Sequence, residues 1–354
     1  MCVNTLICNA FIKFSPIMIE GHGDDLYRYD NIKMNFSSNI FNGTDQRALD
    51  AFLATRLDVI RSYPEPSAAS LEQMIARDCG ISPDEVLVTS GAVDAIYLIA
   101  QAYRHLGSCR IMRPTFREYE DACRVFGYQE QEDGALCWLC NPNNPTGAVM
   151  PAAEVKALAG CHRLLIVDQS YEDYTRAPLL LPAEAVKSDN IILLHSMTKR
   201  YAVPGLRLGY VTAPADIISR LREQYRPWAI NALSLEAGKW LVERGKTAIP
   251  DLPSYLAETR RLRLALDGID GIGTLETQTN FFLCTITATT ASELKEHLAQ
   301  EHGILIRDAS NFTGLTPHHF RIAAQSPAEN DALVTAVRIY LEERQDRKDS
   351  WLLR

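Results

Sequence analysis

Between residues 67 and 213, short runs of almost unbroken apolar residues alternate with stretches of helical periodicity, a rhythm that few folds accommodate. The runs are EVLVT (85–89), CRIM (109–112), LCWLC (136–140), RLLIVD (163–168), IILLH (191–195) and RLGYVT (207–212). Helical patterns fill intervals at 93–105 and 116–126 and after Pro151. A strand with no polar face must be covered on both sides, so the pattern predicts a mostly parallel sheet sandwiched by helices, an α/β architecture. Beyond residue 245 come a charged helix over 255–266, the strand NFFLCTI, a helix over 290–301, the strands ILIR and FRIAA, and a last helix over 327–344. These predict a smaller α/β C-terminal domain over 246–354. It joins a large domain over 41–245 at RGKTAIPDLP, where Gly245, Pro250 and Pro253 interrupt the helical pattern. Residues 1–40 are expected to form an N-terminal segment packed on the small domain.

Charge and composition narrow the partners. The chain carries 44 acidic and 36 basic residues, a net charge of −8, and its Lys and Arg are dispersed along the sequence, which argues against nucleic acid. No apolar stretch reaches the roughly 18 residues of a membrane span. The first 17 residues lack the basic start and small-residue cleavage site of a secretory leader, and they are expected to lie upstream of the true start. Of nine cysteines, only Cys137 and Cys140 are close, and residues so spaced on a strand point to opposite faces. No second pair completes a metal site, so buried thiols in a reducing cytoplasm are the expectation. The partner expected is a small molecule.

Ligands of open parallel sheets gather outside the carboxyl ends of the strands. Four such ends here carry polar motifs: TSGAVDAI after 85–89, NPNNPTG after 136–140, DQSY at the end of 163–168 and SMTK after 191–195. Ser196 and Arg207 flank Lys199, and a hydroxyl with a bidentate guanidinium can bind an anion. SGAV (90–93) adds the backbone N–H groups of Ala92 and Val93 at a helix N-terminus. Asp168 would be expensive to bury without a cation, which a protonated ring nitrogen would supply. Asn144 and Tyr171 could hydrogen-bond a phenolic oxygen, and Phe116 could stack on an aromatic ring. Taken singly, Lys199 reads as a surface lysine, Asp168 as a helix cap and the others as loop or core residues. The agreement of four strand ends favours a site. A lysine, a carboxylate for a ring nitrogen and an anion cradle meet the requirements of pyridoxal 5'-phosphate.

From about residue 20 to the C-terminal helix, the chain resembles the fold type I pyridoxal-phosphate enzymes of the aminotransferase class I and II group. SMTK followed by Arg207 looks like that group's covalent anchor and phosphate motif; NPNNPTG and VDQSY look like its ring-binding motifs. The resemblance implies that Lys199 anchors the cofactor covalently and acts with Asp168 and Tyr171 in catalysis. It implies further that Asp168 pairs with the ring nitrogen, that Asn144 and Tyr171 bond the ring hydroxyl oxygen, and that Phe116 stacks on the ring. Ser196, Thr198, Arg207 and the Ala92 and Val93 backbone would hold the phosphate. YPEP resembles a motif whose tyrosine reaches the phosphate of the neighbouring subunit, which implies a homodimer with Tyr63 crossing to the partner site. Gln169 departs from the acidic residue usual after the Asp, while Asp168 itself is kept.

The chain's two ends bear on the reaction. GHGDDLYRY with NFSSNI, and GILIRDASNFTGL with FRIAA, look most like the threonine-phosphate decarboxylases, relatives of the histidinol-phosphate aminotransferases. That resemblance implies that His22, Gly23, Asn39, Asn144, Arg307 and Arg321 contact a phosphorylated amino acid; Asp24 departs from the Gly usual after the His-Gly pair. Two arginines at strand positions could face a carboxylate and a phosphate, and His22 adds a donor that charges near neutral pH. A surface arginine and an exposed terminal histidine remain the plain alternatives. The expected reaction is decarboxylation of L-threonine O-3-phosphate to (R)-1-amino-2-propanol O-2-phosphate in cobamide biosynthesis. Transamination of a phosphorylated amino compound such as histidinol phosphate is the alternative. A non-catalytic pyridoxal-phosphate-binding protein comes third, and the presence of Lys199, Asp168 and Arg207 counts against it.

Overall fold

Thirteen strands are found among the described residues. In chain order they are β1 (Met34–Asn35), β2 (Val86–Thr89), β3 (Ser108–Ile111), β4 (Gln129–Glu130), β5 (Leu136–Cys140), β6 (Leu164–Asp168), β7 (Ile191–Ser196), β8 (Gly209–Thr212), β9 (Ile272–Thr274), β10 (Phe281–Ile286), β11 (Ile304–Leu305), β12 (Arg307–Asp308) and β13 (His319–Ala323). The computed structural model describes residues 25–245, 248–249 and 251–352, with side chains described through Gln345. His22, Gly23 and Asp24, the first 17 residues, and Lys246, Thr247 and Pro250 of the expected domain junction lie outside the described residues.

The large sheet has the order β2-β8-β7-β6-β5-β3-β4. The neighbours from β7 through β4 pair in parallel, as the apolar runs require. β8 is the exception, antiparallel to both β7 and β2. Every residue of β2, β5, β6 and β7 is buried, because helices cover both faces. Cys137 packs with Val155, Leu165 and Leu193 on one face. Cys140 packs with Ile96, Tyr119 and Trp138 on the other, as side-chain alternation demands. Each aliphatic side chain so buried contributes about 1.5–3 kcal/mol, which holds the strand ends rigidly in place.

The small lobe departs from the expected α/β pattern. Its sheet, β12-β13-β10-β9, is antiparallel throughout. The connections 275–280 and 309–318 contain no helix, and a parallel neighbour would need a crossover of about a dozen residues or more. Helices alternating with strands in the sequence therefore signal α+β here. ILIR divides at Ile306 into β11 and β12, and the helix expected over 290–301 ends at His297 and continues as wider π turns over Leu298–His302. Capping explains the neighbouring boundaries. The Asn231 side chain accepts from the Ser234 N–H to open the helix Ala232–Arg244, which stops at left-handed Gly245. Asp251 opens Leu252–Asp267 in the same way.

The N-terminal segment lies against the small lobe, β1 pairing in parallel with β11. It then passes between the two sheets. Phe36 accepts from the Ala323 N–H at 2.9 Å, Ile40 accepts from Gln325 Nε2 at 3.1 Å, and the Phe41 N–H donates to the Tyr174 hydroxyl at 3.3 Å. Phe36, Tyr171, Tyr174, Phe281 and Phe320 share one core, so the segment is built into the wall between the lobes.

Candidate active site

The carboxyl ends of β2, β5, β6 and β7 open on one edge of the large sheet, and β8, running the other way, begins there. This reversal brings Arg207 to the lysine. Arg207 sits just before β8 with φ 51°, and its Nη1 lies 3.5 Å from Thr198 Oγ1 and 3.1 Å from the Pro204 carbonyl. β7 delivers Ser196, and the single helical turn Met197–Arg200 carries Thr198 and Lys199; Ser196 and Thr198 are both buried.

A cavity of about 300 Å³ fills this edge. It is lined by Ala92, Val93, Phe116, Asn144, Asp168, Tyr171, Ser196, Thr198, Lys199, Arg207, Arg307 and Arg321 among the residues anticipated from sequence. Arg117, Glu118, Tyr119 and Asn311 line it too. Lys199, Arg117, Arg207, Arg307 and Arg321 outweigh Asp168 and Glu118 among the lining charges, so the cavity suits an anionic ligand.

Phosphate binding is favoured at the start of the helix Gly91–Ala102, whose first N–H groups have no acceptor within the helix. Gly91 has φ +82°, and a Cβ there would lie 2.5 Å from Arg207 Nη2. The missing side chain lets the guanidinium close over the helix terminus. Gly91→Ala is therefore expected to weaken pyridoxal-phosphate binding about tenfold or more, because the added Cβ would displace the Arg207 guanidinium and a charge-assisted hydrogen bond contributes about 1.5–3 kcal/mol. Titration of the apoenzyme with the cofactor measures this; an unchanged affinity would remove Arg207 from the phosphate cradle.

Asp168 is 4% exposed and pairs with no cation among the described residues. Its Oδ1 accepts from the Ser170 N–H at 2.9 Å and its Oδ2 from the Tyr119 hydroxyl at 2.7 Å. A buried carboxylate held this way calls for a cationic partner. Tyr171 stands edge-on to Phe281 at 4.8 Å. Burial pushes its hydroxyl up to about 12, partly offset by Arg321, so it remains a donor at neutral pH. Lys199 Nζ donates to the Ser38 carbonyl at 3.0 Å and lies 5.8 Å from the centre of the Tyr171 ring.

The small lobe supplies two arginines. Arg321, on β13, is 3% exposed; its guanidinium donates to Asn144 Oδ1 and to the Ser37 carbonyl, and it forms no ion pair among the described residues. Arg307, on β12, donates to the Asp308 carbonyl at 2.7 Å and to Asn311 Oδ1 at 2.8 Å, over the Phe312 ring. Burial pulls Arg321 down to about 9, with the charge of Arg307 adding to the effect. Burial likewise pulls Arg307 down to about 10, against the opposing pull of Asp308. Two cations buried side by side repel each other, and an entering dianion relieves both.

Asn39 is fully buried with φ 55°, and among the described residues its side chain makes no well-aligned hydrogen bond, only an approach to the Tyr171 hydroxyl. Such a group is costly unless a ligand satisfies it. Tyr63 does not join the cavity of its own chain. It is 86% exposed and stands against Trp228, ring centres 5.5 Å apart. The sequence reading passed over Tyr119, although it follows Phe116 by one helical turn, and Asn311, which lies in the DASNF run after Arg307. The bond from Lys199 Nζ to the Ser38 carbonyl left no sequence signal.

The family model described as aminotransferase class I and II matches residues 128–337. The chain belongs to the aminotransferase class I and II family. It is a pyridoxal-phosphate enzyme with that family's fold, and the buried Asp168 with no cation beside it among the described residues, together with the Gly91–Arg207 cradle, fits the cofactor. Among solved structures, the chain is similar to the L-threonine-O-3-phosphate decarboxylase from Porphyromonas gingivalis, at 36% identity and TM-score 0.84 over 87% of this chain and 99% of that one. It is 27% identical to a threonine-phosphate decarboxylase of Salmonella typhimurium over 86% of this chain and 90% of the relative. It is 28% identical to a histidinol-phosphate aminotransferase of Caldanaerobacter subterraneus over 79% of this chain and 86% of the relative. No helix among the described residues is long and apolar enough to cross a membrane.

Proposed function

We propose that this enzyme decarboxylates L-threonine O-3-phosphate to (R)-1-amino-2-propanol O-2-phosphate, as a cytoplasmic homodimer in cobamide biosynthesis. The observation that carries the reading is the pair Arg307 and Arg321, both buried and both lining the cavity that Lys199 lines. Two such cations suit a substrate with two anionic groups, and the similarity to threonine-phosphate decarboxylases over most of the chain supports that substrate.

Pyridoxal phosphate, when bound, supplies an electron sink for the pair released from a breaking bond at the substrate's Cα. Ser196, Thr198, Arg207 and the Ala92 and Val93 N–H groups would hold its phosphate. Asp168 would keep the ring nitrogen protonated, Asn144 and Tyr171 would donate to the ring hydroxyl oxygen, and Phe116 would cover the ring face. Lys199 would be the covalent anchor. Tyr63 of each chain would complete the phosphate cradle of the other subunit, and Asn39 would contact the substrate, as would His22 and Gly23, which lie outside the described residues. Arg307 and Arg321 would grip the substrate's carboxylate and phosphate and so would set which Cα bond the site directs toward cleavage. In decarboxylation, Lys199 Nζ would deliver the proton that replaces CO2 at Cα; in transamination, it would remove the proton from Cα. The aminotransferase reading draws its support from the histidinol-phosphate aminotransferase relatives.

The two reactions differ in the fate of nitrogen. Mass spectrometry after incubation with O-phospho-L-threonine is expected to find the amine retained on a phosphorylated amino alcohol. A keto acid in its place, with nitrogen transferred to the enzyme, would contradict the decarboxylase reading.

A further inference from the structure

Asp168 leaves the end of β6 with both carboxylate oxygens engaged. Oδ1 takes the Ser170 N–H at 2.9 Å, a bond local to the turn, and Oδ2 takes the Tyr119 hydroxyl at 2.7 Å, a bond from another element. Tyr119 belongs to the helix Glu118–Val125 and is fully buried. Its ring stacks on Trp138 with centres 5.1 Å apart and planes 9° from parallel, and it meets the edge of Phe116 at 5.8 Å. Trp138 is in turn fixed by its Nε1 bond to Cys123 Sγ at 3.2 Å. The phenol thus has one orientation, aimed at the carboxylate. We propose that Tyr119 is a positioning residue that acts through Asp168: its hydrogen bond sets how firmly the carboxylate leaves the shared proton on the cofactor's ring nitrogen.

The surroundings leave Tyr119 the principal side-chain control on Asp168. Burial, with the Asp168 charge adding, holds the Tyr119 hydroxyl well above its ordinary range, so it stays a donor. The other titratable neighbours are Cys140, on β5, and Tyr171, just past β6; burial pushes each up to about 12, and both are neutral. Lys199 approaches from the β7 side and bonds the Ser38 carbonyl. A carboxylate that accepts a phenolic hydrogen bond is less basic than one that does not. With that bond present, the proton between carboxylate and ring favours the nitrogen, and the ring carries positive charge. Without it, the carboxylate would compete better for that proton and the ring would be a weaker electron sink. A less electron-poor ring also makes the Lys199–cofactor linkage more basic.

This inference rests on pyridoxal phosphate as cofactor and is independent of which reaction the enzyme performs. The experiment is a spectrophotometric pH titration of the lysine-bound cofactor in holoenzyme without substrate, comparing wild type with Tyr119→Phe, which keeps the ring and its stacking. The expected result is a titration midpoint raised by about one pH unit, a tenfold change in proton affinity, together with a fall in kcat of similar size and little change in KM. Tyr128→Phe is the control: Tyr128 is a buried tyrosine of the same core, bonded to the Ala100 carbonyl at 3.0 Å. It is expected to leave the midpoint unchanged. An unmoved midpoint in Tyr119→Phe, or an equal shift in Tyr128→Phe, would overturn the proposal. Failure to decarboxylate O-phospho-L-threonine, with the shift present, would instead count against the substrate assignment alone.

Discussion

Lys199→Ala is expected to abolish the visible absorption of lysine-bound cofactor and to lower turnover by about a thousandfold to ten-thousandfold, the scale of losing a positioned proton-transfer group. Lys199 is the sole lysine among the described lining residues, so no other amine there can take over the covalent link or the proton at Cα. The fold should survive the change, because Met197 and Thr198 anchor the helical turn while Lys199 itself is only half-buried. Absorption spectroscopy, single-turnover kinetics and a melting curve separate these effects. Turnover within tenfold of wild type, with the band retained, would show that the anchor lies elsewhere.

Arg321→Ala is expected to raise KM by about 30-fold to several thousandfold while leaving the cofactor's spectrum intact. Truncating one partner of a buried charge-assisted pair costs about 2–5 kcal/mol, and each 1.4 kcal/mol is about tenfold. The guanidinium reaches the site from β13 through Asn144 Oδ1 and the Ser37 carbonyl, so its removal also leaves those two acceptors without its bonds. Steady-state kinetics with O-phospho-L-threonine measures the effect. An unchanged KM would place the substrate's anionic groups away from Arg321.

The apolar runs from EVLVT to RLGYVT were enough to read the large sheet, since strands without a polar face leave little choice but a helix-covered parallel arrangement. They could not give the direction of β8, because strand direction is set by the connection and not by side-chain period. That direction is what brings Arg207 to Lys199. In the small lobe the same alternation of strand and helix misled: the short links 275–280 and 309–318 make the sheet antiparallel. Lys199, Asp168, Asn144 and Arg207 were legible because each stands at a strand end, where chain order alone predicts convergence. The tie between Tyr119 and Asp168 depends on how a helix packs on the sheet, which local spacing does not encode.

The central claim concerns the fate of the carboxylate, and release of CO2 from O-phospho-L-threonine by holoenzyme, with no keto acid present, tests it most directly. The account predicts catalytic CO2 release, one equivalent per phosphorylated amino alcohol formed, lost in Lys199→Ala and requiring higher substrate in Arg321→Ala. No CO2 release, together with amino transfer from histidinol phosphate to 2-oxoglutarate, would contradict it.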